Sequence, residues 1–195
     1  MDRIVKFLLK IYFGIFYKVE IKGMENVPEE GGVILCANHI GQLDMFFIGY
    51  KIKRLVHFMA KAELFNSRIV AWFLKGVGAF PVKRGTGDIG AAKTVYKLLK
   101  SGKIVGILPE GTRTRGKDPG NIKVKAGAAM FAVNAGVPIL PVGVDGSYKF
   151  FTKVRVVIGK PYRIETDPEK KLTPEELADL SEDIMRRVYA LLEEK

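Results

Sequence analysis

His39 and Asp44 stand five apart in Asn38-His39-Ile40-Gly41-Gln42-Leu43-Asp44, directly after the apolar run Val33-Ile34-Leu35-Cys36-Ala37. Side chains that share a helical face are three or four residues apart, so this spacing puts the pair across a strand end and a helix start. His39 is expected on the turn after a strand over 33–37, and Asp44 in the first turn of a helix over 43–50. From there the carboxylate can reach back to the imidazole, and a His held in one tautomer by a carboxylate is a general base for an alcohol or a water. Read alone, the pair is equally a turn His beside a helix-starting Asp. Two further polar clusters fall at later strand ends, Phe80-Pro81-Val82-Lys83-Arg84-Gly85 and Pro109-Glu110-Gly111-Thr112-Arg113-Thr114. Arg84 and Arg113 are candidate phosphate clamps, because a guanidinium fork matches two phosphate oxygens. Glu110 is expected to orient that clamp or to accept a substrate hydroxyl.

The elements that must position these groups alternate along the chain. Apolar runs and turn residues predict strands over 19–22, 33–37, 56–60, 79–83, 104–108, 139–144 and 154–158. Helices are expected over 43–50, 67–75, 89–99, 126–134 and 174–194, the last capped by Thr173. A polar loop fills 109–125. This is an α/β pattern, a single domain with a mixed, mostly parallel sheet and helices on both faces. Ligands of such sheets gather beyond the strand ends, so the three clusters can share one cleft.

Residues 4–17 are apolar almost throughout, interrupted by Lys6 and Lys10, with Arg3 and Lys18 outside. The basic residues form one narrow stripe on an otherwise greasy helix. At 1.5 Å per residue it reaches about 20 Å, short of the roughly 30 Å hydrocarbon core of a bilayer. It is expected to lie on a membrane through Arg3, Lys6, Phe7, Lys10, Phe13 and Phe16, as an interfacial helix over 1–18 ahead of a domain over 19–195. A signal peptide would need an uninterrupted apolar centre and a small-residue cleavage site, which this segment lacks. The competing reading is a helix packed on the core.

With 195 residues, 48% of them hydrophobic, the chain suits one well-packed domain. A formal charge of +11, from 32 Lys and Arg against 21 Asp and Glu, points to an anionic partner. Nucleic acid is disfavoured, since the aromatics fall inside apolar segments rather than between basic residues. One cysteine, Cys36, precludes an internal disulfide, and with two His it leaves little for a zinc site. Cys36 lies in the apolar run before His39 and reads as a packing residue.

Two nucleotide motifs compete for the loops. Gly85-Thr86-Gly87-Asp88-Ile89-Gly90 fits GxGxxG between a strand and a helix, with Glu110 about twenty residues on, which keeps an NADP-dependent oxidoreductase open. Residues 111–117 resemble a P-loop, but Asp118 replaces the magnesium-binding Ser or Thr, and Pro119-Gly120 precludes the helix that should follow. No Gly-x-Ser-x-Gly elbow is present.

From Gly23 to Val144 the chain resembles the 1-acylglycerol-3-phosphate (lysophosphatidic acid) acyltransferases of the glycerolipid acyltransferase superfamily. Four blocks carry the resemblance, in order: Asn38-His39-Ile40-Gly41-Gln42-Leu43-Asp44 as NHxxxxD, Gly78-Ala79-Phe80-Pro81-Val82-Lys83-Arg84-Gly85, Leu108-Pro109-Glu110-Gly111-Thr112-Arg113, and Val137-Pro138-Ile139-Leu140-Pro141-Val142. Gly41 stands where Ser is common and Leu108 where Phe is usual. The resemblance implies that His39, oriented by Asp44, takes the proton of the free sn-2 hydroxyl as it attacks an acyl thioester, giving phosphatidic acid without an acyl-enzyme. It implies that Lys83, Arg84, Gly111, Thr112 and Arg113 hold the acceptor phosphate. The donor it implies is acyl-CoA or acyl carrier protein, used as a substrate, with no metal or other cofactor. A monotopic enzyme on the cytoplasmic face of the cell membrane follows from the same resemblance.

Overall fold

The computed structural model describes residues 2–83, 87–115, 122–167 and 171–193. Two uncharged runs, β2 (Val33–Ala37) and β5 (Ile104–Ile107), lie side by side in parallel at the middle of a seven-stranded sheet. Every residue of both is buried, as strands covered on two faces require. β6 (Ile139–Gly146) pairs with β2 on one side, and β3 (Val56–Lys61) and β4 (Phe80–Val82) extend the sheet beyond β5. β7 (Lys153–Ile158) and β1 (Lys18–Lys22) complete the other edge, giving the order β1-β7-β6-β2-β5-β3-β4. Neighbours are parallel except β6 and β7, which form an antiparallel hairpin.

Successive β2 residues point to opposite faces. Val33, Leu35 and Ala37 join a core with Phe13 of α1 (Asp2–Phe16) and with Phe47 and Ile48 of α2 (Asp44–Gly49). Ile34 and Cys36 join a second core with Val95 of α4 (Ile89–Lys100), Phe131 of α5 (Gly127–Ala135) and Ile184 of α6 (Pro174–Glu193). α3 (Arg68–Gly76) packs Leu74 against Ala60 and Ala79 near the β4 edge. The expected mixed sheet with helices on both faces is the observed one.

α1 departs from the expectation of a separable interfacial segment. Its inner face is core: Phe13 is 1% exposed, stacks on Phe47 with ring centroids 4.2 Å apart and meets Tyr50 edge-on at 5.1 Å. The Lys6 ammonium donates to the carbonyls of Ile52 and Arg54 at 2.9 and 3.2 Å. Phe13 and Lys6 are therefore turned to the protein, not to lipid, and residue 18 is not a packing boundary. The physical reason is that a helix apolar all round can bury one face and still present another. Its outer face exposes Ile4, Phe7, Leu8, Ile11 and Ile15 with Arg3 and Lys10, while Phe16 is half-buried. No helix among the described residues is long and apolar enough to cross a membrane.

Candidate active site

β2 ends at Ala37, and its continuation is held by a side chain. Asn38, 1% exposed, donates from its amide to the Val144 carbonyl and accepts from the Val144 N–H, both at 2.8 Å. The strand pairing with β6 is thereby replaced by a single residue, freeing the backbone to turn at His39. β6 itself continues to Gly146, two residues beyond its expected end.

His39 is then fixed at both backbone groups by the loop after β5. Its N–H donates to Glu110 Oε2 at 2.7 Å, and its carbonyl accepts from the Thr114 N–H at 2.7 Å and the Thr114 hydroxyl at 3.1 Å. The Thr114 hydroxyl lies 2.9 Å from Glu110 Oε2, and the Tyr189 hydroxyl of α6 donates to Oε1. Burial and the Glu110 charge push the Tyr189 phenol above its usual range, so it remains a donor. Glu110 is 3% exposed. Its expected place beside a substrate is thus corrected: both its oxygens are taken up internally, and it stitches the His39 turn to the loop.

Asp44 opens α2 and is 1% exposed. It accepts from the Ile40 N–H at 2.9 Å and from the Gly41 N–H at 3.0 Å, so the carboxylate folds back on the turn that precedes its helix. His39 Nδ1 lies 2.6 Å from Asp44 Oδ2, and the Tyr148 hydroxyl donates to Oδ1. Burial, then the Asp44 charge, drives the Tyr148 phenol far up, so it too stays protonated. An ionised carboxylate only accepts, so in the neutral imidazole this contact places the hydrogen on His39 Nδ1 and the lone pair on Nε2. Tyr148 fits because residue 41 is glycine: a Cβ there would lie 2.5 Å from the Tyr148 ring.

The imidazole borders a cleft of about 490 Å³ beyond the ends of β3, β4 and β5, between the starts of α4 and α5. Lys83, Asp88 and Lys125 are its charged lining residues beside Gly111, and Met59, Ile107, Leu108, Met130 and Phe131 are among its apolar ones. Gly111 adopts φ +66°, and a Cβ on it would lie 2.8 Å from Cε of Lys125, so a glycine there lets that side chain pass. The start of α5 has no side-chain cap at Ala126, which leaves its first amides for a ligand. Thr112 and Arg113 follow Gly111 but are exposed and do not line the cleft; Arg84 and residues 116–121 lie outside the described residues. Lys125 had no motif to announce it, and neither did Tyr148 or Tyr189.

At the start of α4 the Asp88 carboxylate already accepts from the N–H groups of Lys83 and Ala91 at 2.8 and 2.9 Å, which hold its pKa below the usual carboxylate range. A dinucleotide pyrophosphate would need that helix start, and Glu110, the proposed ribose ligand, is enclosed. The oxidoreductase reading loses both its contacts. Cys36 is fully buried with its thiol pushed up by burial, a packing residue rather than a nucleophile.

A family model described as acyltransferase matches residues 18–145, and so spans His39, Asp44 and all three strand-end clusters. The chain belongs to the acyltransferase family. Among relatives of this O-acyltransferase, the 1-acyl-sn-glycerol-3-phosphate acyltransferase of Bacillus subtilis is 33% identical, over 94% of this chain and 92% of its own length. The chloroplast enzyme of the same description from Arabidopsis thaliana is 30% identical over 80% of this chain, which spans 48% of that longer protein. Among solved structures, the LPA acyltransferase PlsC of Thermotoga maritima superposes with a TM-score of 0.70 at 27% identity, covering 99% of this chain and 79% of that one. The matched stretch of the acyltransferase stops short of Tyr148 and Tyr189 and begins after α1.

Proposed function

We propose that this acyltransferase moves a fatty acyl group from an acyl thioester to the sn-2 hydroxyl of 1-acylglycerol-3-phosphate, making phosphatidic acid for phospholipid biosynthesis. The observation that carries the reading is His39 bonded through Nδ1 to a buried Asp44 at the edge of a cleft lined by Lys83 and Lys125 and by many apolar side chains. Nε2 takes the hydroxyl proton as the acceptor oxygen attacks the thioester carbonyl. The tetrahedral adduct then collapses, the C–S bond breaks, and the thiolate takes the proton back from Nε2. Asp44 orients the ring and stabilises the imidazolium between these steps, and a general base of this kind contributes about 100- to 10,000-fold.

Lys83, Lys125 and the uncapped start of α5 supply positive potential for the acceptor phosphate, with Arg113, Thr112 and Arg84 on the adjoining loops. The apolar wall formed by Met59, Met130 and Phe131 suits an acyl chain. No acyl-enzyme is needed, in keeping with the inert Cys36. The outer face of α1 seats the enzyme on the anionic cytoplasmic leaflet, where its lysolipid resides. The names of the Bacillus subtilis and Thermotoga maritima relatives support the same acceptor.

Purified protein given radiolabelled 1-acylglycerol-3-phosphate with acyl-CoA in one arm and acyl carrier protein in the other should yield phosphatidic acid on chromatography. Product in one arm names the donor. Unchanged lysolipid in both arms, with product from a different lysolipid, would overturn the acceptor assignment.

A further inference from the structure

The tip of the β6–β7 hairpin, residues 147–152, presents Phe150 and Phe151 to solvent at 58% and 68% exposure. Neither ring belongs to a core cluster, yet both are fixed. Phe150 lies 5.3 Å from Phe16 and 5.8 Å from Tyr17, and Phe151 lies 6.2 Å from Phe16, centroid to centroid. The Phe151 N–H donates to the Phe16 carbonyl at 2.7 Å, and the Tyr12 ring continues the row 5.1 Å beyond Phe16. The tip is thus pinned to the last turn of α1, and its two rings extend the outer face on which Ile11 and Ile15 are exposed.

The backbone is arranged to hold this display. Phe151 has φ 62° and Tyr148 φ 57°, in the left-handed region that bulky side chains avoid. Tyr148 gains Asp44 from its conformation. Phe151 gains its backbone bond to Phe16 while its ring stays largely exposed, and strain kept at an exposed aromatic marks a contact surface. The surroundings are basic: Lys149, Lys18 and Lys10 are exposed, and Glu20 on neighbouring β1 is already paired with Lys153 and Lys22.

We propose that the hairpin tip is a second lipid-contacting element, and that Phe150 and Phe151 form with the outer face of α1 one patch seated on an anionic bilayer leaflet. This rests on the reading of the chain as an enzyme of lipid acceptors. Aromatic rings ringed by lysines suit the headgroup boundary of such a leaflet. Because Tyr148 belongs to the same tip, seating it brings the His39–Asp44 end of the sheet to the surface where the lysolipid lies.

Full-length protein is to be co-sedimented with vesicles of phosphatidylcholine and phosphatidylglycerol, comparing wild type with Phe150→Ser/Phe151→Ser. The double variant should partition about tenfold more weakly at an unaltered melting temperature, since two rings leave the bilayer. Wild type and variant pelleting alike would overturn the hairpin while leaving the membrane reading intact; a wild type that does not pellet would sink both. A wild-type dimer in vesicle-free solution that the variant dissolves would make the patch an interface between copies instead. Should the double variant fold poorly, Phe151→Trp in a Trp72→Phe background leaves a single tryptophan in the chain, which has one natively. Its emission should shift to the blue on vesicles and be quenched by brominated lipid; unshifted emission from pelleted protein would contradict the proposal.

Discussion

Tyr148→Phe keeps the ring that packs against Phe47 and Gly41 and removes one donor from the buried Asp44 carboxylate. A hydrogen bond to a charged group contributes about 1.5–3 kcal/mol, so melting temperature and kcat should both fall. KM for the thioester should hold, because Tyr148 does not line the cleft. Wild-type kcat and stability in thermal and steady-state measurements would show that Tyr148 does not position Asp44. Lys125→Ala should raise KM for the phosphate-bearing acceptor about tenfold, one charge-assisted contact being lost. Arg113→Ala should raise it less, since Arg113 stands outside the cleft lining. The reverse order of the two variants would move the phosphate to the loop rim. At this scale the His39–Asp44 contact was open to reading, because the strand end and helix start between partners five apart let the carboxylate reach back, although the spacing alone also fitted an unpaired turn His. Tyr148 and Tyr189 were not, as they reach Asp44 and Glu110 from 104 and 79 residues away through the fold alone. Gly41 was the visible trace: a missing Cβ in a motif where Ser is common signals that another side chain occupies the space.

Among the elements, α1 divides its residues between the core and an exposed apolar face. Phe13→Ala should cost about 3–5 kcal/mol of stability, the usual range for an emptied core aromatic, and lower the melting temperature accordingly. Phe7→Ser, on the outer face, should leave the melt unchanged and weaken vesicle binding. Equal thermal losses in calorimetry would mean that the helix has no lipid-facing side. Deleting residues 1–17 cannot separate these roles, because Phe13 and Tyr17 are part of the sheet's core. The helices and strands otherwise fall within two residues of their expected bounds. The clearest were legible because their apolar pattern matches the faces they bury, with β2 and β5 uniformly apolar and α4 one-sided. What periodicity cannot tell is which apolar face of an all-apolar helix meets protein. The 3-10 turns Met24–Asn26 and Ala62–Phe65 escaped notice for a different reason: three or four residues are too few to show a period.

For the molecule as a whole, one edge of the mixed sheet carries β1 and the β6–β7 hairpin, α1 packs over one face, and the cleft lies beyond the ends of β3, β4 and β5. The +11 charge would suit a phosphate-bearing acceptor, an anionic donor and an anionic surface alike, so it announced an anion without choosing one. The proposed choice rests on the His39–Asp44 pair, which places an imidazole as well as basic side chains at the cleft. The decisive comparison is the rate of phosphatidic acid formation on anionic vesicles by wild type and by His39→Ala, both confirmed folded by circular dichroism. Replacing His39 should cost about 100- to 10,000-fold in kcat with little change in vesicle binding. Retention of more than about a tenth of the wild-type rate, outside the range expected for a lost general base, would contradict the mechanism.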